Sequence, residues 1–267
     1  MQYNACQDVK VLTVERFGKA PDGGPAVAEL AFANPGWTVR PGQFVMVRPA
    51  AGWGDGVLWA RPFSVYRADE AAISLLVAAV GRGTARLARM EAGDTLTAWG
   101  PLGSFFARED EQPTLMLGGG IGIAPFRAYI ESHPRPDLLR LVFGHTAPLT
   151  SYPWPALAAG VPTDDFHEQG REDLARFIAL MEARISELPA AGLVLACGPL
   201  PMLRTVKSLC AAAGVRCQLS MENRMACGVG ACLGCVCKSA AGELVQVCSR
   251  GPVFWAQDLD LDGEVKQ

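Results

Sequence analysis

The chain has 267 residues, half of them hydrophobic, which is enough for two domains, or three if one is small, without help from disulfides. Its formal net charge is −3 and it has no basic run, so a nucleic-acid partner is not suggested; no apolar stretch approaches the length of a membrane span, so no membrane association is expected. The region after Met1 lacks a charged start followed by an apolar core, so no secretory signal is expected, and nine cysteines in that setting point to a reducing compartment, most simply the cytoplasm of a prokaryote, and to metal or redox duty.

The first hundred residues read as short strands. Val9–Arg16 and Ala26–Phe32 alternate apolar with polar residues, Gln43–Arg48 and Ile73–Val80 follow, and Thr95–Trp99 is shorter. Turn chemistry separates them: Pro21-Asp22-Gly23-Gly24, Asn34-Pro35-Gly36, Pro41-Gly42 and Gly93-Asp94, with a Gly-rich loop over 50–60. Many short strands with regular turns predict a small antiparallel barrel. Within it lies Arg61-Pro62-Phe63-Ser64, whose guanidinium offers a fork for a diphosphate and whose hydroxyl can serve a flavin ring or a phosphate. Val80-Gly81-Arg82-Gly83-Thr84 then ends a strand and opens a helix over Ala85–Met90, a place where free N–H groups can meet a phosphate.

After the polar linker Glu109–Pro113 the pattern changes. Thr114–Leu117 is a short apolar strand running into Gly118-Gly119-Gly120-Ile121-Gly122-Ile123-Ala124-Pro125 and a helix to about Glu131. A strand, a Gly-rich turn and a helix with proline in its first turn make a pyrophosphate cradle, although not the usual G-x-G-x-x-G form. Leu138–Phe143 is the next strand and ends at Gly144-His145-Thr146; residues 170–186 have helical apolar spacing; Leu193–Ala196 is a buried strand ending in Cys197-Gly198-Pro199-Leu200-Pro201-Met202, with a helix to Ala213. Strands alternating with helices predict an open parallel sheet, with ligands at the carboxyl ends of its strands. Of the histidines, His133 is expected to be solvated, His167 lies in a polar stretch, and His145 stands where it can line a dinucleotide site.

The last fifty residues are too few for a good core unaided. They carry Cys227, Cys232, Cys235 and Cys248 in a C-x4-C-x2-C-x12-C spacing, the plant-type [2Fe–2S] run with a distant fourth ligand. Gly228, Gly230 and Gly234 suit a loop that bends sharply around sulfur. A four-cysteine zinc site and a disulfide framework remain as alternatives on the residues alone, but structural zinc usually takes two short knuckles, whereas here the fourth cysteine stands alone. Cys237 reads as a packed bystander, with a ligand swap with Cys235 left open.

The order of these pieces resembles the ferredoxin–NADP reductase superfamily, where Arg-x-Tyr/Phe-Ser and Gly-x-Gly-Thr hold FAD, and Gly-Gly-Gly-x-Gly-x-Ala-Pro and Cys-Gly-Pro-x-x-Met belong to the NAD(P) domain. With the cysteine run placed third, and above all with Ser220-Met221-Glu222, Arg224–Cys232, Cys235, Val247-Cys248 and Gly251–Phe254, essentially the whole chain is similar to the electron transfer subunits of dihydroorotate dehydrogenase B. The fold class expected is multidomain α+β: an antiparallel β-barrel FAD domain over 1–108, an α/β parallel-sheet NAD domain over 109–215 and a small C-terminal [2Fe–2S] domain over 216–267.

The resemblance implies cluster ligands Cys227, Cys232, Cys235 and Cys248. It implies FAD contacts at Arg61, Pro62, Phe63, Ser64, Leu76, Val77, Ala78, Gly83 and Thr84. It implies NAD contacts at Gly118, Gly119, Gly120, Gly122, Cys197, Gly198 and Pro199, with Cys197 near the nicotinamide. Where the family often has Tyr-Arg, this chain has Val77-Ala78, so the main-chain role of those positions is the firmer expectation, and Arg82 is a candidate substitute cation. An FMN-containing catalytic subunit is implied as partner, in a heterotetramer of two of each chain. That subunit oxidises dihydroorotate to orotate in pyrimidine biosynthesis, and the electrons cross the cluster to FAD and leave as hydride to NAD+. NAD rather than NADP is expected because no arginine stands at Gly144–Pro148. No proton-shuttling triad is expected in the chain itself. The competing readings are the small subunit of an NAD(P)H-dependent ferredoxin reductase or sulfide dehydrogenase, and a non-enzymatic zinc-binding regulatory module.

Overall fold

The computed structural model describes residues 6–20, 22–51 and 59–262. Most of the Gly-rich loop expected over 50–60, Pro21 of the first turn and the end of the acidic tail lie outside them.

Six antiparallel strands, β1 (Gln7–Phe17), β2 (Val27–Ala33), β3 (Phe44–Pro49), β4 (Arg61–Ala68), β5 (Ala72–Ala78) and β6 (Thr95–Leu102), close a barrel in the order β1-β2-β5-β4-β3-β6. Strand alternation sets its two faces. Ile73, Leu75 and Val77 of β5 point inward with Leu30, Phe32, Val45 and Val47, whereas Leu76 turns outward to an interdomain core with Tyr66. Helix α1 (Arg82–Ala88) begins three residues earlier than expected because Thr84 caps it: the Gly81 N–H donates to Thr84 Oγ1 at 3.0 Å, and that hydroxyl donates to the Gly81 carbonyl at 3.1 Å.

The next elements are β7 (Thr114–Gly119), α2 (Ala124–Ser132), β8 (Leu139–His145), α3 (Trp154–Ala158), β9 (Thr163–His167), α4 (Asp173–Ser186), β10 (Leu193–Cys197), α5 (Leu200–Ala213) and β11 (Arg216–Ser220). The C-terminal stretch adds β12 (Val236–Ser239), β13 (Leu244–Gln246), α6 (Val247–Arg250), β14 (Val253–Trp255) and β15 (Leu259–Asp260). The main sheet runs β14-β11-β10-β7-β8-β9, parallel throughout except for β14, which pairs antiparallel with β11. β7 and β10 are buried along their whole length, which is why they read as unbroken apolar runs. One face packs on α4 and α5 through Phe177, Met181, Leu203 and Val206, the other on α2 and α3 through Phe126, Tyr129 and Leu157. The expected boundary at 215/216 falls immediately before β11, so the C-terminal stretch supplies two strands to this sheet. The remaining short strands form a separate sheet, β13-β12-β15.

Strand β9 carries no apolar alternation. It is held at the sheet edge by charge: Arg184 of α4 grips Asp164 with Nε and Nη2 both at 2.9 Å, and Arg140 Nε adds a contact at 3.0 Å. Burial works against ionisation of Asp164, but the two guanidiniums outweigh it and hold the carboxyl below the usual carboxylate range. A depressed carboxyl pKa stabilises the fold above the unfolded pKa, about 4, and that contribution is lost as pH falls through the folded value. Asp164→Asn is therefore expected to cost about 1–2 kcal/mol at neutral pH, with the gap from wild type closing in acid, as read from urea melts between pH 3 and 7. An unchanged midpoint at pH 7 would refute this account of the edge.

His133, expected to be solvated, is buried instead. Its ring packs on Tyr129, and Nδ1 accepts from the Arg135 N–H at 3.1 Å, so the turn after α2 folds the imidazole inward.

Candidate functional site

The sheet reverses its winding between β7 and β10: the chain leaves β7 toward β8 and β9 on one side and returns to β10 and β11 on the other. Such a switch opens a crevice at the carboxyl ends of the strands. There Gly118 pairs with Cys197 in the β7–β10 register, and the two following turns touch backbone to backbone. A Cβ on Gly122 would lie 2.4 Å from the Cys197 carbonyl oxygen, and one on Gly119 would lie 2.6 Å from Met202 Sδ. Gly120, at φ +55°, turns the chain left-handed into a single 3-10 turn ahead of α2. The structure thus brings Gly118, Gly119, Gly120, Gly122, Cys197, Gly198 and Pro199 into one constellation.

Cys197 is fully enclosed. Burial, with the Glu222 charge adding to it, raises its thiol pKa far above the ordinary value despite a hydrogen bond from Ser220, so the group is a neutral thiol and not a nucleophile. At the end of β8, His145 is buried, stacks on Phe143 and His167, and faces Asp165 with Nε2 3.7 Å from Oδ2. This strand end carries a carboxylate and no arginine.

A cavity of about 220 Å³ lies between barrel, sheet and C-terminal stretch. Pro62, Phe63, Ser64, Leu76, Ala78 and Thr84 line it from the barrel. Val77 does not: it is wholly buried, because the alternation of β5 points its side chain into the barrel core. Arg61 also stands away from the lining, its Nη1 donating to the Trp59 carbonyl at 2.6 Å. The Thr84 hydroxyl is spent on capping α1. Several wall residues carried no role in the sequence reading, among them Phe44, Ile121, Glu222, Asn223 and Met225. Glu222 is exposed at the cavity, yet the protein packed around it raises its carboxyl pKa. The one signal that could have found this wall is the strand after Gly214, which runs as β11 straight into it.

Two residues beyond Met225 the cysteine loop begins. Gly228 at φ +73°, Gly230 at φ +80° and Leu233 at φ +56° bend it, and backbone N–H groups aim at sulfur. Gly230 donates to Cys248 Sγ at 3.0 Å, Val229 to Cys227 Sγ at 3.4 Å and Cys248 to Cys235 Sγ at 3.4 Å. The thiols associate in two pairs, Cys227 with Cys232 and Cys248 with Cys235. Burial pushes the Cys227 thiol up, but donation from the Val229 and Cys232 N–H groups and the Cys232 thiol outweighs it and brings it down to about 7. Cys248 is pushed up to about 12, by burial first and by its partner Cys235 second.

Among the described residues no three His, Cys, Asp or Glu side chains form a group that could hold a single metal ion. Two pairs of thiols ringed by N–H donors fit a two-iron cluster, which takes two ligands per iron, better than one tetrahedral zinc. Cys237 is buried on β12, its thiol pushed up to about 11 by burial and then by Cys235, as a packed bystander would be.

Residues 222–260 match the model of the iron–sulfur cluster binding domain of dihydroorotate dehydrogenase B. Over 237 residues the chain is 34% identical to the dihydroorotate dehydrogenase B (NAD(+)) electron transfer subunit of Caldanaerobacter subterraneus subsp. tengcongensis, covering 87% of this chain and 92% of that one. The chain belongs to the family of dihydroorotate dehydrogenase B electron transfer subunits. The family member of Geobacillus kaustophilus is 35% identical, over 83% of this chain and 87% of its own. Solved structures agree in fold. An NADH-dependent reduced ferredoxin–NADP oxidoreductase superposes with a TM-score of 0.79 over 98% of this chain and 92% of its own at 21% identity. A ferredoxin–NADP+ reductase from Neisseria gonorrhoeae with bound FAD and NADP gives 0.61 over 79% and 92% at 18% identity. Like these, the family member described here is a barrel followed by a parallel-sheet domain; no helix among the described residues is long and apolar enough to cross a membrane.

Proposed function

We propose that this chain is the outlet of a dihydroorotate dehydrogenase complex, carrying electrons from dihydroorotate oxidation on an FMN-containing catalytic subunit through a [2Fe–2S] cluster and FAD to NAD+ in pyrimidine biosynthesis. The observation that carries the reading is the wall shared by two sites: Ser220–Asn223 and Met225 line the barrel cleft, and the same segment reaches the first cluster cysteine two residues later. Cys227, Cys232, Cys235 and Cys248 would hold the cluster. Pro62–Ser64, Leu76, the main chain of Val77, Ala78, Gly83 and Thr84 would hold FAD, and Arg61 would join them by turning its guanidinium from the Trp59 carbonyl toward the diphosphate. Gly118–Gly120, Gly122 and Cys197–Pro199 would hold NAD. Bound in the cleft, the flavin supplies the exchange between single electrons and a hydride pair.

The chain's own part is to bind, align and exclude water. The glycine turns let backbone N–H groups approach a pyrophosphate. The neutral Cys197 thiol fills the strand end without adding charge near a nicotinamide. Asp165 beside His145, with no arginine, supports NAD over NADP. Leu233, 58% exposed at the bend between Cys232 and Cys235, offers an apolar contact for the catalytic subunit beside the cluster. A heterotetramer of two of each chain in the cytoplasm is the assembly proposed.

The test is to isolate the native complex and assay it with dihydroorotate and NAD+. The expected result is an orange-brown complex with an FMN chain and dihydroorotate-dependent NADH formation. A co-purifying flavoprotein of the ferredoxin or sulfide type would move the chain to another pathway, and a colourless, zinc-loaded chain would overturn both redox readings.

A further inference from the structure

A side-chain hydrogen bond ties the cluster loop to the barrel. The indole Nε1 of Trp99, on β6, donates to the carbonyl oxygen of Cys227 at 3.1 Å across 128 residues of sequence. Beside it the loop backbone is pressed onto the barrel wall: a Cβ on Gly228 would meet Met46 Cγ at 2.5 Å and Leu102 Cδ1 at 3.1 Å. Met46 and Trp99 are cross-strand partners on β3 and β6, and Phe44 and Leu102 are the next pair on the far side of a bulge. Phe44 in turn lines the flavin cleft, as does Met225 from the loop side. Met225–Cys227 therefore bridges the cleft wall and the first cluster cysteine, a span of at most ~7 Å along the backbone. At its Cys227 end the bridge rests on β3 and β6, and Phe44 of β3 lines the same cleft as Met225 at the other.

We propose that Trp99 is a positioning residue for electron passage between the cluster and the flavin, fixing the Cys227 carbonyl against the barrel so that the Met225–Cys227 bridge keeps one length. The inference rests on the reading of the cysteine loop as a [2Fe–2S] site and of the cleft as the FAD site. The step it serves is a single-electron exchange in which the cluster loses one electron and the flavin gains it, or the reverse when NADH is the donor. Trp99 is not one of the residues lining the cleft, and its indole meets the carbonyl of Cys227 and not its sulfur. Removing its N–H should change the coupling of the two sites and spare each of them.

The experiment is stopped-flow mixing of NADH with the native complex carrying Trp99→Phe, which keeps the aromatic packing and deletes the donor. Flavin bleaching is expected at the wild-type rate, with iron and FAD content unchanged. Subsequent cluster reduction, followed by its own absorbance and by the spin-resonance signal of the reduced cluster, is expected to slow roughly fivefold, the weight of one lost hydrogen bond on the docked loop. Hydrogen exchange across 226–230 is expected to rise in parallel. Wild-type cluster reduction in this variant would overturn the proposal.

If Trp99→Phe loses its iron, Leu102→Ala loosens the same contact from the barrel side with the indole kept. A rate there equal to wild type, with faster exchange over 226–230, would also overturn it. Absence of iron and FAD from the wild-type complex would instead sink the underlying redox reading, so the two failures are distinguishable.

Discussion

Cys232→Ser is expected to empty the cluster loop and stop electron flow from the catalytic subunit, while NADH still bleaches the flavin. Cys232 is exposed and paired with Cys227, whereas Cys235 and Cys248 form the buried pair. Serine at one position leaves one iron with a single thiolate. Losing even a hydrogen-bond partner of a metal ligand costs about 10- to 100-fold in affinity, and losing the ligand itself should cost more than about a hundredfold. The N–H donors at Val229, Gly230 and Cys248 remain but have no sulfide to meet. Among the described residues, this part of the chain lends the cavity proposed for FAD Ser220–Asn223, Met225 and Pro252, and no cysteine, so hydride exchange with NADH should persist. Iron and sulfide analysis, dihydroorotate-dependent NADH formation and NADH bleaching together read the outcome. If Cys237→Ser gave this pattern and Cys232→Ser did not, the ligand assignment would fall.

The opposite dissection comes from Gly122→Ala. The added Cβ would stand 2.4 Å from the Cys197 carbonyl oxygen and 2.7 Å from the Gly198 nitrogen, all backbone, so neither neighbour can swing aside. The two turns at the strand ends must part, which is expected to cost about 1–3 kcal/mol in stability. A displacement of ~1 Å in a positioned reactant can cost about 100-fold in rate. Flavin bleaching by NADH should fall by roughly that factor, while the cluster spectrum and the FAD content stay as in wild type. A wild-type bleaching rate would show that the crevice between β7 and β10 is not where the nicotinamide works.

These two variants divide the molecule along lines that were visible in the sequence to different degrees. The cysteine spacing and the glycine runs are local: each announces a backbone shape or a donor set within a dozen residues, and the bends at Gly120, Gly228 and Gly230 lie within them. β7 and β10 were equally plain, because strands covered on both faces read as unbroken apolar runs. What stayed hidden depends on contacts across long separations. β9, Thr163–His167, is polar and owes its place to Arg140 and Arg184. β11 to β15 are two to five residues long, too short for periodicity to register. Trp99 opens a Trp-Gly-Pro-Leu-Gly string that gave it no role, and its hydrogen bond to Cys227 exists only once β6 and the loop are folded together. Glu222 and Met225 were seen as part of a family string, but their place in the cleft wall follows from the register of β11 on β10. His133 was misjudged for a related reason, since the turn at Pro134–Arg135 folds it back over Tyr129.

The antiparallel strand β14 has a bearing on how the molecule is made. Its residues pair with β11, and Val253 is held from both directions by Ser104, whose hydroxyl donates to the Val253 carbonyl at 2.7 Å and accepts from its N–H at 3.0 Å. During synthesis the barrel and most of the sheet emerge early and can fold as they leave the ribosome. The outer strand of the dinucleotide sheet arrives only after every cysteine of the loop has been translated. The sheet edge at β11 thus stays open until the whole cysteine loop has been made. A chain that ends before Val253 would therefore keep β11 as an unpaired outer edge of the sheet.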